Sequence, residues 1–404
     1  MATSPPIAIL GCGPAGMATA LALLAVGHDV RIYERYPEAR PAGNILNLWP
    51  PPIRALKEMG VDVEDLGAPC HTTFRNARTG HVRADIKLPE DVIEKYQGGF
   101  IGMLRPVLYE RMLAALPSHV LEVNRTVTGI EDHGDGVTLT FDDGTSVETP
   151  VLIGADGIDS LVRKHLWGDS PKREHRLHII GGFTDALPAS AEAGECVLAH
   201  TEWVQASYSS IRDHGKDGFQ WWVLEAWDPD QPAPADLHAH AAQRAEDFGP
   251  AIRDLIAATP RENVQRWVIR DRKPLKKWSK GRVTLAGDAA HATSPYAAYG
   301  AGMSIGDGYF IAKALAGVDL SSTAAVVAAL DAYDEPRIPH TTAQVQQAYI
   351  LGQAFHHIPR FVRPIRDFVL DHTPMLQKQV GERSPQEIVD QLDEMGADLA
   401  SARR

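Results

Sequence analysis

Cysteine is scarce in this sequence, because its 404 residues include only three, at Cys12, Cys70 and Cys196. Residues so far apart form neither a CxxC redox or zinc pair nor a disulfide framework. The CxxxxC pair that a disulfide reductase requires is missing as well. A chain without structural disulfides is expected in a reducing compartment, so we predict a cytoplasmic location.

Metal-binding motifs are also missing. No HExxH accompanies the 17 histidines. His238 and His240 share a polar helical stretch, and the pair at 356–357 lies in a second one. We therefore expect no metal ion in this protein.

Positive charge is in deficit, with 40 Lys and Arg against 52 Asp and Glu and a formal net charge of -12. Such a chain offers no basic surface for nucleic acid, so we expect no nucleic-acid partner. Long apolar runs are missing too, because the run near the N-terminus, Ile7 to Leu10, has only four residues. We expect neither a membrane span nor a secretion signal.

Glycine, in contrast, is plentiful and concentrated in motifs. A short apolar strand at 7–10 is followed by Gly11-Cys-Gly13-Pro14-Ala15-Gly16, a helical pattern, and a second strand that ends at Glu34. This is the G-x-G-x-x-G fingerprint within a β-turn-α-β unit. Gly11 allows the turn, Gly13 admits a pyrophosphate to the backbone, and Gly16 lets helix and strand close. Glu34 stands where an acid accepts from a ribose hydroxyl; Arg35 follows it.

Two later segments repeat the pattern of an apolar strand that ends in Gly and Asp. The first is Val151 to Arg163, with Asp156 after the strand, and the second is 281–308, with Gly287-Asp288 after Val283 to Ala286. A second glycine-rich turn, Gly300-Ala-Gly302, opens a helix in the later segment. Small residues in such numbers let a large flat ligand approach the backbone, although a tight packing corner alone also requires them.

The segments between these motifs read as a second domain. Residues 171–270 contain β-rich, aromatic stretches, where Tyr208, Gln220 and Trp222 can wall an aromatic pocket or simply fill a core. From about residue 323 the chain is helical, and we expect Pro336 and Pro339 to break the helix.

Taken together, GCGPAG at 11–16, GADGIDSLVR at 154–163 and GDAAHATSP at 287–295 resemble the FAD-dependent single-component aromatic hydroxylases. That family includes para-hydroxybenzoate hydroxylase, salicylate hydroxylase, and the hydroxynicotinate and tetracycline monooxygenases. The resemblance covers about residues 5 to 335. It implies an α/β fold, with a Rossmann-like FAD-binding domain of the glutathione-reductase type, a β-sheet substrate domain and C-terminal helices.

The resemblance also implies site residues. Arg105 matches an arginine near the FAD phosphates, Asp288 an aspartate on the FAD ribityl or pyrophosphate, and Pro295 a proline beside the flavin. Tyr208 falls where relatives carry a tyrosine that faces the substrate, whereas Tyr299 stands where relatives often carry glutamine. The expected FAD contacts are Gly11, Gly13, Pro14, Ala15, Gly16, Glu34, Arg35, Arg105, Asp156, Gly287, Asp288, Pro295, Gly300, Ala301 and Gly302. The expected catalytic residues are Pro295, Tyr296 and Tyr208, and the expected substrate contacts are Asn47, Tyr208, Gln220, Trp222 and Tyr296.

The resemblance further implies the partners and the reaction. FAD would be reduced by NADPH or NADH, and O2 would form a flavin C4a-hydroperoxide that hydroxylates a small aromatic or polycyclic substrate. One dinucleotide fold is visible, so the nicotinamide nucleotide would bind transiently. A reductase or halogenase of the same fold and a non-catalytic flavin-binding regulator remain alternatives, and either a monomer or a homodimer is expected.

The motifs divide the chain into interleaved parts. We expect the FAD-binding domain at 1–70, 100–170 and 271–340. The substrate domain would comprise 71–99 and 171–270, and 341–404 would form a C-terminal helical segment.

Overall fold

The computed structural model of the protein describes residues 5–40, 45–96, 99–297 and 299–402. In this part of the chain there are seventeen β-strands and thirteen α-helices. The strands are β1 (Ile7–Leu10), β2 (Val30–Tyr33), β3 (Ile45–Leu48), β4 (Ala68–Asn76), β5 (Val82–Ile86), β6 (Phe100–Leu104), β7 (Leu121–Glu122), β8 (Val127–Asp132), β9 (Val137–Phe141), β10 (Ser146–Thr149), β11 (Leu152–Gly154), β12 (Arg173–Thr184), β13 (Glu195–His200), β14 (Val204–Asp213), β15 (Lys216–Ala226), β16 (Gln265–Asp271) and β17 (Val283–Leu285). The α-helices are α1 (Pro14–Ala25), α2 (Pro50–Glu58), α3 (Glu90–Lys95), α4 (Arg105–Ala115), α5 (Leu161–Trp167), α6 (Leu237–Arg244), α7 (Pro250–Ala258), α8 (Asp288–His291), α9 (Gly300–Leu315), α10 (Thr323–His356), α11 (Arg363–His372), α12 (Arg383–Met395) and α13 (Leu399–Ala402). Short 3₁₀-helices occupy Arg261–Asn263, Pro295–Ala297 and Arg360–Val362, and a π-helix occupies Gln377–Glu382.

A five-stranded parallel sheet, in the order β17-β11-β1-β2-β7, carries the three glycine-containing motifs. The inner strands β1 and β11 are fully buried and have apolar sequences, as expected where both faces of a parallel sheet are covered, whereas the edge strand β7 is half-buried. Leu10 pairs with both Tyr33 and Gly154, and Gly154 pairs with Leu285. The carboxyl ends of four strands therefore meet at one edge, where ligands of open α/β sheets bind.

Helices α1 and α9 pack against each other at very short range. A Cβ atom added at Gly308 would lie 2.5 Å from the Thr19 backbone nitrogen, so only glycine fits at this crossing. The glycine-rich part of α9 is thus explained partly by packing, as the alternative interpretation of 281–308 anticipated.

A nine-stranded mixed sheet forms the second layer, in the order β16-β12-β15-β14-β13-β4-β6-β3, with β5 paired to β4. Helices α6 and α7 and the segment between them cover one face through Ala241, Phe248, Ile252 and Leu255. Trp221 is fully buried on that face and donates to Thr259 Oγ1 at 2.8 Å. The opposite face of this sheet is left for the cavity described below. A three-stranded antiparallel sheet, β10-β9-β8, adjoins the parallel one.

Helix α10 runs for 34 residues through Pro336 and Pro339, so the expectation that these prolines break it is wrong. Arg337, between the two prolines, is fully buried and bonded to Asp307 of α9. This buried pair links α10 to α9 at the turn of the helix that carries the two prolines.

The α/β architecture with a Rossmann-like sheet, a second β-sheet layer and C-terminal helices is confirmed. The exact domain limits stay a prediction. Strand β3 begins at Ile45, and the preceding Asn44 lies outside the described residues. Within the described chain, no helix is both long enough and apolar enough to cross a membrane.

Candidate active site

A cavity of about 650 Å³ extends from the carboxyl edge of the parallel sheet to the free face of the nine-stranded sheet. We call its two ends the parallel-sheet half and the apolar half. The parallel-sheet half is lined by Leu10, Gly11, Cys12, Gly13, Pro14, Ala15, Tyr33, Glu34, Arg35, Tyr36, Arg105, Tyr109, Arg125, Thr126, Val127, Ala155, Asp156, Gly157, Asp159, Leu161 and Asp288. The apolar half is lined by Ile45, Leu46, Asn47, Thr72, Phe74, Ile86, Phe100, Ile179, Cys196, Leu198, Gln205, Trp222, Leu224, Tyr296, Gln344, Gln347, Ala348, Leu351, Phe355, Leu376, Val380, Ser384 and Glu387. The junction between them is lined by Trp49, Thr293, Ser294, Pro295, Tyr299, Gly300, Ala301 and Ser304.

The loop from β1 into α1 presents bare backbone to the cavity. Gly11 has φ +98°, and a Cβ there would lie 2.5 Å from the Ala155 carbonyl oxygen. A Cβ at Gly16 would lie 1.9 Å from the Gly11 carbonyl oxygen, so this glycine packs beneath the loop and does not line the cavity. At Gly13 the nearest atom is Tyr109 Oη at 3.8 Å, which leaves open space in front of the helix. The first turn of α1 carries no acidic side chain, so its free amides favour an anion such as a pyrophosphate.

Glu34 closes the loop from the end of β2. Its carboxylate accepts from the backbone amides of Cys12 at 2.8 Å and Tyr36 at 3.0 Å. Burial, reinforced by Glu34, raises the pKa of Cys12 to about 12, which keeps this thiol neutral and unreactive. Glu34 thus both shapes the loop and lines the cavity, where a ribose hydroxyl can donate to it.

Three arginines, Arg35, Arg105 and Arg125, line the parallel-sheet half. Arg105 is the first residue of α4 and lies close enough to Asp288 and Tyr109 to counter the rise in their pKa values. Burial dominates for Tyr109, whose pKa is raised to about 12. The arginines of the cavity lining thus lie at the end of the glycine loop, beside the carboxylates of the same half, and can contact the phosphates of a ligand there.

Asp288 stands on a turn that a buried charge network holds in place. Gly287 has φ +60°, and its amide donates to Asp307 Oδ2 at 2.8 Å. The same oxygen lies 2.6 Å from His291 Nε2, and Arg337 approaches the other at 2.9 Å. Burial pushes the pKa of Asp307 up, but His291 and Arg337 outweigh it and hold that pKa below its usual range. Asp288 itself opens onto the cavity, and desolvation by the surrounding protein raises its pKa.

Asp156 lines the same half, but the chain already uses its carboxylate. Oδ1 accepts from Ser160 Oγ at 2.5 Å, and Oδ2 accepts from the Leu161 amide at 2.6 Å. Burial raises the pKa of Asp156 above its usual value despite these bonds. Its main visible role is to shape the 156–161 turn.

The side chains that reach the apolar half are those on the cavity-facing side of the nine-stranded sheet. Side chains alternate along a strand, so Gln205 on β14 and Trp222 and Leu224 on β15 face the cavity. Tyr208 has the opposite parity and packs against Phe219 in the core beneath α6 and α7. The prediction that Tyr208 faces the substrate is corrected by this register, because a shift of one residue changes the face.

Gln220 lies on the cavity side of the sheet, but it is fully buried and its side-chain amide is hydrogen-bonded to other protein groups. Its side chain accepts from the Leu46 amide at 3.0 Å and donates to the Leu46 carbonyl at 3.0 Å. It also donates to Asn47 Oδ1 at 3.0 Å and Ser209 Oγ at 2.8 Å. Gln220 therefore anchors β3, which carries the lining residue Asn47, and does not itself line the cavity.

Tyr296 lines the apolar half and forms a pair with His356, 2.7 Å from Tyr296 Oη to Nε2. His356 Nδ1 lies 3.3 Å from the Trp203 carbonyl, which can only accept, so Nδ1 carries the proton and Nε2 accepts from the tyrosine. Burial, reinforced by repulsion from His357 and Arg366, lowers the pKa of His356 to about 3. Burial also raises the pKa of Tyr296, so the pair is neutral.

The turn at the junction brings Pro295, Gly300 and Ala301 to the cavity, and Ala298 lies outside the described residues. Helix α9 begins here, so the free backbone amides of its first turn point toward the junction. No acidic side chain in that turn offsets their partial positive charge. Gly302 does not line the cavity, because a Cβ there would lie 2.9 Å from the Tyr299 ring. The Tyr299 hydroxyl is bonded to Gln391 of α12, which fixes the ring against the C-terminal helices.

The C-terminal helices supply a wall that sequence reasoning missed. Gln344, Ala348, Leu351 and Phe355 of α10 line the cavity, together with Leu376 and Val380 near the π-helix. The spacing of the α10 residues is that of one helix face and was visible in the sequence. Asp307 and Arg337 were missed as well, although charges inside a helix of small or apolar residues were a signal.

One group of potential metal ligands, His178, Glu225 and His240, occurs in the described chain on the nine-stranded sheet. Arg266 Nε donates to His178 Nδ1 at 2.8 Å, and Arg244 pairs with Glu225 at 2.7 Å. Two guanidinium groups at these ligands disfavour a cation, so the group acts as a hydrogen-bond network.

The family profile described as "FAD binding domain" matches residues 5–348 of this chain. The chain is 32% identical over 357 residues to the 3-amino-4-hydroxybenzoate 2-monooxygenase PtmB3 of Streptomyces platensis, covering 87% of this chain and 89% of that one. It is 30% identical over 326 residues to the 6-hydroxynicotinate 3-monooxygenase of Pseudomonas fluorescens, covering 78% and 83%.

Solved structures share the fold. Klebsiella pneumoniae HpxO, in complex with FAD and uric acid, has a TM-score of 0.81 at 24% identity and covers 96% of each chain. A salicylate hydroxylase substrate complex has a TM-score of 0.76 at 20% identity, covering 100% of this chain and 98% of that one.

Proposed function

The chain belongs to the FAD-dependent aromatic-hydroxylase family of monooxygenases, and we propose that it uses NADH or NADPH with O2 to hydroxylate an aromatic or polycyclic small molecule. The observation that carries this proposal is one continuous cavity that joins the glycine loop to an apolar sheet face. One end of the cavity has the features of a dinucleotide site, and the other has those of a site for a flat apolar molecule.

The residues of the parallel-sheet half fit FAD. The Gly11–Gly16 loop leaves open space before Gly13, the α1 amides face it, and Arg105 supplies positive charge. Glu34 would accept from the adenosine ribose, and Asp288 from the ribityl or pyrophosphate region. Pro295, Gly300 and Ala301 would face the flavin ring at the junction. We also propose that the domain limits expected from the sequence hold, with 341–404 added to the cavity wall.

When bound, the flavin supplies the redox chemistry, taking electrons from the nicotinamide nucleotide and activating O2, which side chains cannot do. The chain contributes position and environment. The α9 amides favour negative charge at the junction, and the apolar half excludes water. Trp222 and Tyr296 would hold the aromatic substrate, while Gln220 positions Asn47. The neutral Tyr296–His356 pair keeps the tyrosine oxygen available as an acceptor for a substrate hydroxyl or N–H group.

Three observations on purified protein test this proposal together: bound FAD, oxidation of NADH or NADPH that accelerates with an aromatic substrate, and a product heavier by one oxygen atom. Failure to take up FAD would overturn the proposal. Substrate reduction or halogenation without oxygen insertion would favour another activity of the same fold, and FAD binding without any turnover across substrates would favour a regulator.

A further inference from the structure

The charge of the cavity is distributed very unevenly. Its lining arginines, Arg35, Arg105 and Arg125, all lie in the parallel-sheet half. The described residues that line the apolar half include no lysine, arginine or histidine. The undescribed residues at 41–44, 97–98 and 298 also carry none of these side chains.

The polar groups of the apolar half are amides and hydroxyls. Gln205, Gln347 and Tyr296 are examples, set among Leu198, Trp222 and other apolar side chains. Neutral groups of this kind can exchange hydrogen bonds with a substrate, but they do not neutralise a buried anion.

The apolar half contains one charged lining side chain among the described residues, the carboxylate of Glu387. It pairs with Arg383 at 2.6 Å and accepts from Gln344 at 3.0 Å. Arg383 is half exposed and is not among the lining residues. The described lining therefore offers an anionic ligand no cationic partner of its own, because Arg383 lies outside the lining and is already paired with Glu387.

Two arginines behind the wall already have carboxylate partners, although Arg83 Nη1 is buried without a hydrogen-bond partner. Arg83 pairs with Asp371 at 2.6 Å and with Asp367 at 3.6 Å. Arg366 pairs with Asp367 at 2.8 Å and donates to the Phe355 carbonyl at 2.7 Å. His356 accepts from Tyr296, so it is neutral in this arrangement. None of these residues is part of the described lining.

We propose that the apolar half accepts an uncharged aromatic substrate and rejects aromatic carboxylates. The inference rests on the proposed function and deepens it, because it concerns the substrate class of the same site. It separates this chain from relatives whose names specify carboxylate substrates, a hydroxybenzoate and a hydroxynicotinate.

The test compares molecules that have the same shape and differ in charge. FAD-loaded protein is titrated with salicylamide and salicylate, 6-hydroxynicotinamide and 6-hydroxynicotinate, 3-amino-4-hydroxybenzamide and its acid, and 3-hydroxy-2-naphthamide and its acid. Binding is followed by calorimetry, so the readout does not require turnover. FAD loading and NAD(P)H oxidation are scored separately, and their failure counts against the proposed function, not against the substrate class.

We expect at least one amide to bind, and every amide that binds to do so at least about 10-fold more tightly than its acid. An acid that binds as tightly as its amide would overturn the inference. A panel in which no amide binds would also overturn it, because the cavity would then not accept uncharged aromatics of this size.

A gain of binding provides an independent check. Leu198→Lys places a cation in the lining and should tighten salicylate binding at least about 10-fold, whereas Leu198→Met, of similar length, should not. Gln205→Lys serves the same purpose if the first variant does not fold. Equal salicylate binding by folded lysine and methionine variants would contradict the assignment of charge as the selective feature.

Discussion

Tyr296 Oη lies 2.7 Å from His356 Nε2, and this bond joins the 3₁₀-turn at the cavity junction to the end of α10. The carbonyl of Trp203 fixes the imidazole from its other side, at 3.3 Å from Nδ1. Two elements far apart in sequence are thus held by one neutral hydrogen-bonded pair, and the C-terminal helix becomes part of the site.

The first prediction concerns acid stability. His340 and His356 each have a pKa lowered to about 3, with burial as the first cause. In the unfolded chain these histidines bind protons near pH 6.5, whereas in the folded chain they do so only near pH 3. The free energy of unfolding should therefore fall as the pH drops from about 6.5 toward about 3. The decrease should reach up to roughly 1.4 kcal/mol per pH unit for each histidine. Urea unfolding at several pH values measures this. His340→Leu should flatten the slope, and the exposed control His119→Gln should leave it unchanged.

A second prediction addresses the buried charge network. Asp307→Ala removes the partner of Arg337 and the acceptor of the Gly287 amide, so we expect a loss of about 3–5 kcal/mol in unfolding free energy. FAD affinity should fall too, because the turn that carries Asp288 loses its support. Asp331→Asn, which breaks an exposed pair with Lys277, is the control and should change both little. If Asp307→Ala has an unfolding free energy as high as that of the control variant, the role assigned to Asp307 is contradicted.

Two glycines of the first motif should separate folding from ligand binding. Gly16→Ala forces a Cβ against the Gly11 carbonyl and should destabilise the protein by about 1–3 kcal/mol. Gly13→Ala meets no protein atom closer than 3.8 Å, so stability should stay within about 0.5 kcal/mol while FAD binding weakens at least about 10-fold. Unfolding curves and FAD titrations give both quantities. Full FAD affinity in Gly13→Ala would show that the phosphates bind elsewhere.

The two faces of the nine-stranded sheet give a fourth prediction. Trp222 lines the cavity, so Trp222→Leu should weaken binding of an aromatic substrate by about 10-fold or more, since an aromatic contact is lost. Tyr208→Phe alters the opposite face and should leave binding within about twofold of the wild type. Calorimetric titration compares the two variants. If Tyr208→Phe weakens substrate binding more than Trp222→Leu does, Tyr208 contacts the substrate and the assignment of the two sheet faces is wrong.

Much of the fold was predictable because its signals are local. A few neighbouring residues are enough to recognise the glycine loop at 11–16, the apolar runs of β1, β11 and β17, and Glu34 directly after β2. Of the FAD contacts expected from the sequence, the structure brings twelve to the cavity and places Gly16, Gly287 and Gly302 in the packing around it.

The rest depends on information that local sequence does not contain. The prediction that Tyr208 faces the substrate was wrong because the face on which a side chain lies depends on the register of β14 with β13 and β15. Gln220 was selected as a substrate contact, but its partners at Leu46 and Asn47 lie more than 170 positions away. Asp307 and Arg337 meet only after α9 and α10 pack, so neither could be assigned a partner from periodicity alone.

The central claim is that one cavity holds the flavin at its parallel-sheet half and the substrate at its apolar half, and a crystal structure of the FAD-loaded protein tests it most directly. We predict electron density for the flavin ring at the junction, between Asp288 and the Gly300–Gly302 turn, with Pro295 and Tyr296 at its edge. The apolar half around Trp222 and Leu224 should be left for the substrate. A flavin ring that fills the apolar half, or one bound outside this cavity, would contradict the account.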